Sequence, residues 1–323
     1  MIAILINGIS RRLKDVMNEV EKVFPEHLQY GLFESQYAGH LRGLATEVVK
    51  KGYTHFICVG GDGTLNEVVN GLVSAFEYAN CSADDPLETR YDWAGLTRLR
   101  VALYPAGTGN DFARTIKAKP DLKQILQLIE ADSYCLTDIG YARFMNPELS
   151  GETARFCINI ADVGMGGDVA LHLSKDSRLR QISPKLLYQR EVIRAFFSYQ
   201  KKPVRCYNEQ FAWEGLATAI VAANGNYFGG GIGVAPQADC TSGKLGITIV
   251  GNVSLWDYAT RLPTLMRCKK AQHPEISYHN FEKICVESLA EQMPIDMDGE
   301  FVGYTPFMMQ KLRQRLPILQ HKA

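Results

Sequence analysis

The chain has 323 residues, more than one ordinary domain needs, and its length suits two. Lys plus Arg total 35 and Asp plus Glu total 35, which excludes the basic excess of a nucleic-acid binder and any strong overall attraction to anionic membranes. The eight cysteines are scattered, with no Cys-x-x-Cys pair, and read as reduced structural thiols of a cytosolic protein rather than a zinc site or a disulfide framework.

Ile2 to Ile6 is an apolar run of buried-strand type, too short for a signal-peptide core, and it ends at Asn7-Gly8. Leu13, Val16, Met17, Val20 and Phe24 then share one helical face, stopped by Pro25. Tyr30 to Ser35 predicts a second strand. A second helix is marked by Leu41, Leu44, Ala45, Val48 and Val49 and closes at Lys50-Lys51-Gly52. His55 to Val59 predicts a third strand, which runs into Gly60-Gly61-Asp62-Gly63-Thr64-Leu65-Asn66-Glu67. Leu65, Val68, Val69, Leu72 and Phe76 continue as an amphipathic helix, and Thr64 with Glu67 stands in capping-box register.

A glycine turn that opens a helix is an anion site, because the first backbone N–H groups of the helix have no internal partner and the dipole favours negative charge. Asp62 is the anomaly in this turn. A carboxylate in a phosphate cradle repels the ligand unless a cation intervenes or the group handles a proton.

Residues 77–98 are polar and read as an inserted surface loop. Val101 to Tyr104 is a fourth strand, followed by a second glycine turn, Pro105-Ala106-Gly107-Thr108-Gly109-Asn110-Asp111, with Asn110 or Asp111 as candidate cap. Alternation of strand and helix implies a parallel sheet, whose ligands gather at the carboxyl ends of the strands, so the two turns should share one edge. A helix after Pro120 carries Leu122, Ile125, Leu126 and Ile129, and the α/β domain is expected to end near Asp132.

Beyond it, short β-type runs occupy Leu136 to Tyr141, Phe156 to Val163, Val204 to Tyr207, Thr218 to Ala223, Leu245 to Val250, Ile276 to Tyr278, Lys283 to Val286 and Pro294 to Met297. Two helices interrupt them, one starting at Ser183-Pro184, the other around Asp257 to Met266 with a possible kink at Pro263. An antiparallel second domain follows from this pattern.

With both glycine turns read, the chain resembles the diacylglycerol kinase catalytic family, which includes bacterial lipid kinases and sphingosine kinases. The matching residues are Gly60 to Leu72, Pro105 to Arg114, Asn224-Gly225 with Gly229-Gly230-Gly231, Pro236-x-Ala238, and Asp298-Gly299-Glu300. The resemblance implies an α/β fold. A Rossmann-like, phosphofructokinase- and NAD kinase-like parallel-sheet domain over 1–132 would bind ATP, with 305–323 returning to it. A β-sandwich over 133–304 would take the lipid, and a cleft would lie between the two. By motif position, the ATP contacts are Asn7, Ser35, Gly60, Gly61, Asp62, Gly63, Thr64, Glu67, Thr108, Gly109 and Asn110. Asp298, Glu300 and Asp62 are the candidate catalytic acids, Asp298 being favoured as general base, and Mg²⁺ accompanies ATP. The implied partner is a lipid presented at a membrane surface, met peripherally by a cytoplasmic protein at the inner membrane face. No nucleic acid and no transmembrane segment are expected, and a homodimer stays open.

Two departures stand out. Asn7-Gly8-Ile9-Ser10 lacks the proline of the family's opening loop, and Thr241-Ser242-Gly243 replaces an Asp-Asp-Gly that helps hold a structural Mg²⁺. Only Asp239 and Ser242 remain as candidate metal ligands there, a weak set because a hydroxyl is a poor Mg²⁺ ligand. A Rossmann dehydrogenase is excluded because Asn66 stands where the third glycine belongs. NAD kinase shares the first turn but leaves Thr108 to Phe112 and Asp298 to Glu300 unexplained, and a non-catalytic nucleotide- or lipid-binding module would not need the three acids.

Overall fold

The computed structural model describes residues 1–10, 12–25, 27–81, 86–146, 151–175, 191, 194–195 and 198–321. Two compact units emerge, one of Met1–Thr137 with Arg313–Ala323, the other Asp138–Leu312. These divisions fall at Thr137 and Leu312, against the 132 and 304 expected from the pattern.

The first unit starts with β1 (Ile2–Ile6), α1 (Leu13–Val23), β2 (Tyr30–Glu34), α2 (His40–Lys50), β3 (His55–Gly60) and α3 (Asp62–Ser74). Two short helices follow, α4 (Leu87–Arg90) and α5 (Trp93–Leu96), then β4 (Arg100–Pro105), α6 (Asp111–Thr115) and α7 (Leu122–Glu130). The sheet order is β2-β1-β3-β4, all parallel, with Ile2 level with both Tyr30 and His55 and His55 level with Arg100. Every residue of β1 is buried, as central strands covered on both faces require. Ile4, Ile57 and Ala102 pack with Val16, Val20 and Ile125 from α1 and α7. Burying a side chain such as Ile4 or Ile57 contributes about 1.5–3 kcal/mol each.

Two expectations change here. The 77–98 stretch is not wholly a surface loop, because Tyr91, Trp93 and Leu96 are buried and Asp92 caps α5 by accepting the Gly95 N–H. Its apolar residues are too few and too irregularly spaced to show a period. The capping box at Thr64 and Glu67 is also absent: α3 begins at Asp62, and its N-cap Gly61 supplies no side-chain cap.

β5 (Tyr134–Asn146) starts in the first unit and continues into the second, which also holds β6 (Gly151–Cys157), β7 (Ile160–Gly164), α8 (Met165–Lys175), β8 (Lys202–Tyr207), β9 (Ala212–Ala217) and β10 (Ala219–Ala223). After the small ribbon β11 (Tyr227–Phe228) and β12 (Ile232–Gly233) come β13 (Leu245–Val250), α9 (Leu255–Met266), β14 (Ile276–Phe281), β15 (Lys283–Ser288), β16 (Pro294–Met297) and the long β17 (Glu300–Leu319). Antiparallel pairing runs in the order β14-β13-β10-β7-β16-β17, and β17 also meets β15 and β5. Ile220, Ile247, Val163 and Ile295 pack into one core with Val204, Val286, Phe307 and Met309. The alternate residues Ile160, Ala219, Val221 and Ala223 form a separate cluster, as a period of two demands.

The tail of β17 belongs to the first unit, where Ile318 pairs with Val101 in parallel. The helix expected from Ser183-Pro184 lies outside the described residues, apart from isolated helical positions at 191, 194, 195 and 198. No helix among the described residues is long and apolar enough to cross a membrane.

Candidate active site

Parallel pairing of Gly60 with Pro105 puts both glycine turns of the first unit at the same edge of the sheet. They touch through their backbones. A Cβ on Gly107 would stand 2.4 Å from the Cα of Gly61, so no side chain fits there. Asn110, in the left-handed region at φ 53°, spans its own turn: its Oδ1 accepts the Gly107 N–H at 3.0 Å and its Nδ2 donates to the Gly107 carbonyl at 2.8 Å.

Asp62 has a role that the sequence pattern did not reveal. Its Oδ2 accepts the Asp111 N–H at 3.0 Å and its Oδ1 the Phe112 N–H at 2.8 Å. The carboxylate of the first turn therefore caps the helix that follows the second, and most of its charge is spent on backbone donors. That resolves the anomaly of an acid in an anion cradle. It also corrects the expectation that Asn110 or Asp111 caps α6, for Asn110 gives it no side-chain cap.

Glu67 is redeployed in a similar way. Its two oxygens accept the Gly39 N–H at 3.0 Å and the Leu41 N–H at 3.1 Å, closing the start of α2. Thr64 Oγ1 receives the Asn7 Nδ2 proton at 3.2 Å, and Ser35 Oγ receives the Gly8 N–H at 3.1 Å. Asn7 Oδ1 in turn accepts from the Ile9 N–H at 3.2 Å, which holds the opening loop without its proline. Asn7, Ser35, Gly60 to Thr64, Glu67 and Thr108 to Asn110 thus gather at the carboxyl ends of β1 to β4. With no side-chain cap on α3, the N–H groups of its first turn are the donors an anion can use.

In the second unit, Asp298 and Gly299 form the hairpin between β16 and β17, with φ of 53° and 89°, as a turn of type I′ requires. The Asp298 carboxylate is buried and accepts N–H groups from Ile158 at 3.1 Å, Asn159 at 3.0 Å and Ile160 at 2.9 Å. These bonds are why Phe156 to Val163 is not one strand, as the apolar run suggested: the chain leaves the ladder after Cys157 to wrap the carboxylate and re-enters at Ile160. The Asn159 carbonyl accepts the N–H groups of Asn224 at 2.7 Å and Gly225 at 3.1 Å. The Asn224-Gly225 pair and Asp298 therefore clamp one short segment from two sides. Glu300, two residues on, is exposed, with Arg155 Nη1 at 3.5 Å from its Oε2.

Two further acids escaped the sequence reading because each sits inside an ordinary β-type run. Asp162 and Asp296 lie opposite one another on β7 and β16, both buried. Burial pushes the Asp162 carboxyl up to about 7, offset in part by the Gly166 N–H, and its Oδ1 has no hydrogen-bond partner among the described residues. Asp296 is driven well above the usual carboxylate range by burial first, then by Asp162 and Asp298. Asp162 also lines an apolar cavity of about 120 Å³ in this unit, walled by Val169, Val221, Phe228, Val250 and Leu265.

At the expected metal loop, Asp239 Oδ1 accepts from the Thr241 N–H at 2.8 Å and its hydroxyl at 2.7 Å, while Ser242 Oγ donates to the Asp239 carbonyl at 2.8 Å. These groups satisfy their own loop, and among the described residues no cluster of three His, Cys, Asp or Glu could hold a metal ion. Asp239 and Ser242 do not fit a divalent site. The loop is fastened instead by buried Asp138, whose Oδ2 accepts the Gly243 N–H at 2.6 Å and whose Oδ1 has Lys311 Nζ at 3.7 Å.

Comparison with known proteins bears on the family and the fold. Residues 1–142 match the diacylglycerol kinase catalytic domain, and residues 161–320 match the YegS C-terminal NAD kinase beta sandwich-like domain. The chain belongs to the diacylglycerol kinase catalytic family, whose fold is a parallel α/β domain joined to a β-sandwich-like one. It is 25% identical to a diacylglycerol kinase of Staphylococcus carnosus over 97% of this chain and 90% of that protein. A diacylglycerol kinase of Staphylococcus haemolyticus is 26% identical over 97% of this chain and 84% of the relative. Among solved structures, a diacylglycerol kinase from Bacillus anthracis str. Sterne superimposes with TM-score 0.65 at 19% identity, covering 99% of this chain and 96% of that one. Yeast NADH kinase shares the fold more distantly, with TM-score 0.52 at 8% identity over 100% of this chain and 84% of its own.

Proposed function

We propose that this protein is an ATP-dependent lipid kinase that transfers the γ-phosphoryl group to a hydroxyl of a diacylglycerol-like or sphingoid lipid. The observation that carries this reading is the backbone contact between Gly61 and Gly107, which joins two anion-binding turns into one cradle. Phosphoryl transfer asks a protein mainly for alignment and charge neutralisation. The N–H groups at the start of α3 and around Thr108 supply donors for phosphate oxygens, and the Asp62 bonds to Asp111 and Phe112 keep the two turns in register. A divalent ion bound with the nucleotide would neutralise phosphate charge.

The acceptor side of the reading rests on the second unit. An engineered apolar cavity of roughly 150 Å³ admits benzene. The cavity beside Asp162, at about 120 Å³, therefore suits a short stretch of alkyl chain. Of the two acids after β16, Asp298 is committed to three backbone N–H groups, so its lone pairs position the hairpin. Glu300 is exposed and takes the role of proton acceptor from the lipid hydroxyl. This reverses the preference for Asp298 drawn from motif position alone. The lipid is met at a membrane surface by peripheral contact.

NAD kinase chemistry is the less favoured reading, since the likeness to yeast NADH kinase is one of fold alone. Incubation with labelled ATP and either mixed diacylglycerol and sphingoid micelles or NAD separates the two. Label is expected in the organic phase, and label in NADP instead would overturn the lipid-kinase reading.

A further inference from the structure

Helix α9 packs one face against the apolar cavity and leaves an apolar stripe on the other side exposed. Tyr258, Arg261 and Leu265 turn inward and line the apolar cavity. On the opposite side Trp256 is 77% exposed and Met266 51%, with exposed Ala259 and Pro263 between them at helical spacing. None of these four lines the cavity. Immediately after the helix, Arg267, Lys269 and Lys270 are exposed as well. Within residues 255–270 the only carboxylate is Asp257, and it is engaged by Ser254, Arg261 and His273. A chain whose formal charge is zero overall therefore carries a local basic rim beside an outward tryptophan.

We propose that α9 docks this protein on an anionic lipid bilayer, with Trp256 and Met266 entering the interface while Arg267, Lys269 and Lys270 meet the headgroups. The proposal rests on the lipid-kinase reading and names the surface through which the acceptor arrives. Charge complementarity and side-chain chemistry both select this partner. Tryptophan favours the boundary between headgroups and acyl chains, where its ring is apolar and its N–H is solvated. Basic residues near an anionic surface each strengthen binding by about fivefold, an attraction that acts within a Debye length and so depends on the local cluster rather than the net charge. The helix is also preformed: Ser254 and Asp257 make a complete capping box, so no ordering of α9 has to accompany docking. Because its inner face walls the cavity, a lipid drawn up beside α9 has a short path to the acceptor site.

The test is co-sedimentation of the full chain with vesicles of phosphatidylglycerol and phosphatidylcholine, alongside its fluorescence with brominated lipid. The variants are Trp256→Ala and the triple Arg267→Glu, Lys269→Glu, Lys270→Glu. Wild type should bind the anionic vesicles, and bromine should quench an emission that Trp256→Ala lacks. Trp256→Ala should bind about tenfold more weakly and the triple variant more weakly still. Both should retain the wild-type melting temperature and the wild-type rate on soluble dihexanoylglycerol, which needs no docking. Equal vesicle binding by wild type and both variants would overturn the docking proposal and leave the kinase reading intact. Trp256-dependent vesicle binding without phosphorylation of any lipid would sink the kinase reading and leave the docking surface standing.

Discussion

Asp62 reaches across from the first glycine turn to accept the backbone N–H of Asp111 at 3.0 Å, and its other oxygen takes the neighbouring Phe112 N–H at 2.8 Å. One carboxylate thus ties two loops that are almost 50 residues apart in the chain. Asp62→Ala should cost about 1 kcal/mol of stability, the usual loss for a helix cap. It should also weaken ATP binding about tenfold by letting the second turn drift, which isothermal titration would read directly. Unchanged ATP affinity would mean that the tie does not organise the nucleotide site.

Gly107 offers a second, independent probe of the same cradle. In Gly107→Ala the new methyl group would meet the backbone Cα of Gly61 at 2.4 Å, an atom that no rotamer change can move away, so the turns must separate. Lost ATP binding with a melting temperature reduced by only a few degrees is the expected outcome in a thermal-shift titration. Normal nucleotide affinity would contradict the shared cradle.

The two acids of the β16 hairpin should separate cleanly. Asp298→Asn leaves an amide facing backbone donors and should destabilise the fold by about 3 kcal/mol, seen as a shifted urea midpoint. Glu300→Gln, at an exposed position, should stay within about 0.5 kcal/mol of wild type and yet lose 100-fold or more in turnover, roughly the contribution of general-base catalysis. A stable Glu300→Gln enzyme with normal turnover would return the base role to another residue.

Asp162 makes stability depend on pH. Its folded carboxyl is raised by burial to about 7 from an ordinary 3.8, so the folded chain keeps a proton that the unfolded chain releases. The contribution of this group to stability is therefore fullest below about pH 4 and is lost as pH rises through about 7, by an amount on the order of 4 kcal/mol. Asp162→Asn should flatten that decline in chemical denaturation curves measured at pH 4, 5.5 and 7. An identical slope in both proteins would show that Asp162 is not the group responsible.

Much of the first unit was legible because its strands and helices have different periods and are separated by Gly and Pro. Ile2 to Ile6 and Leu13 onward fall where periodicity puts them, and the glycine turns stand at one sheet edge as parallel crossovers dictate. What could not be read was the destination of polar side chains. Thr64 and Glu67 have the spacing of a capping box, but tertiary proximity gives Glu67 the start of α2 and gives Thr64 the Asn7 amide. The break at Ile158-Asn159 was invisible for the same reason, since the carboxylate that bends the chain lies about 140 residues away. Asp138, Asp162 and Asp296 carry no local signature at all, because only burial distinguishes them from surface acids. Helix α8 and strand β9 carry glycines that interrupt their patterns, Gly166 and Gly167 in the first turn of α8 and Gly215 within β9, and of β17 only a return of 305–323 to the first unit was expected, through the resemblance and not as a strand.

The most direct test is a single-turnover assay with γ-labelled ATP and a panel of extracted lipids, run on wild type and on Glu300→Gln. Label should move into a lipid bearing a primary or secondary hydroxyl with wild type, and should stay on ATP with the variant even though both proteins bind the nucleotide equally. Bound ATP with no labelled lipid from wild type, or equal transfer by both proteins, would contradict the assignment of this chain as a lipid kinase working through Glu300.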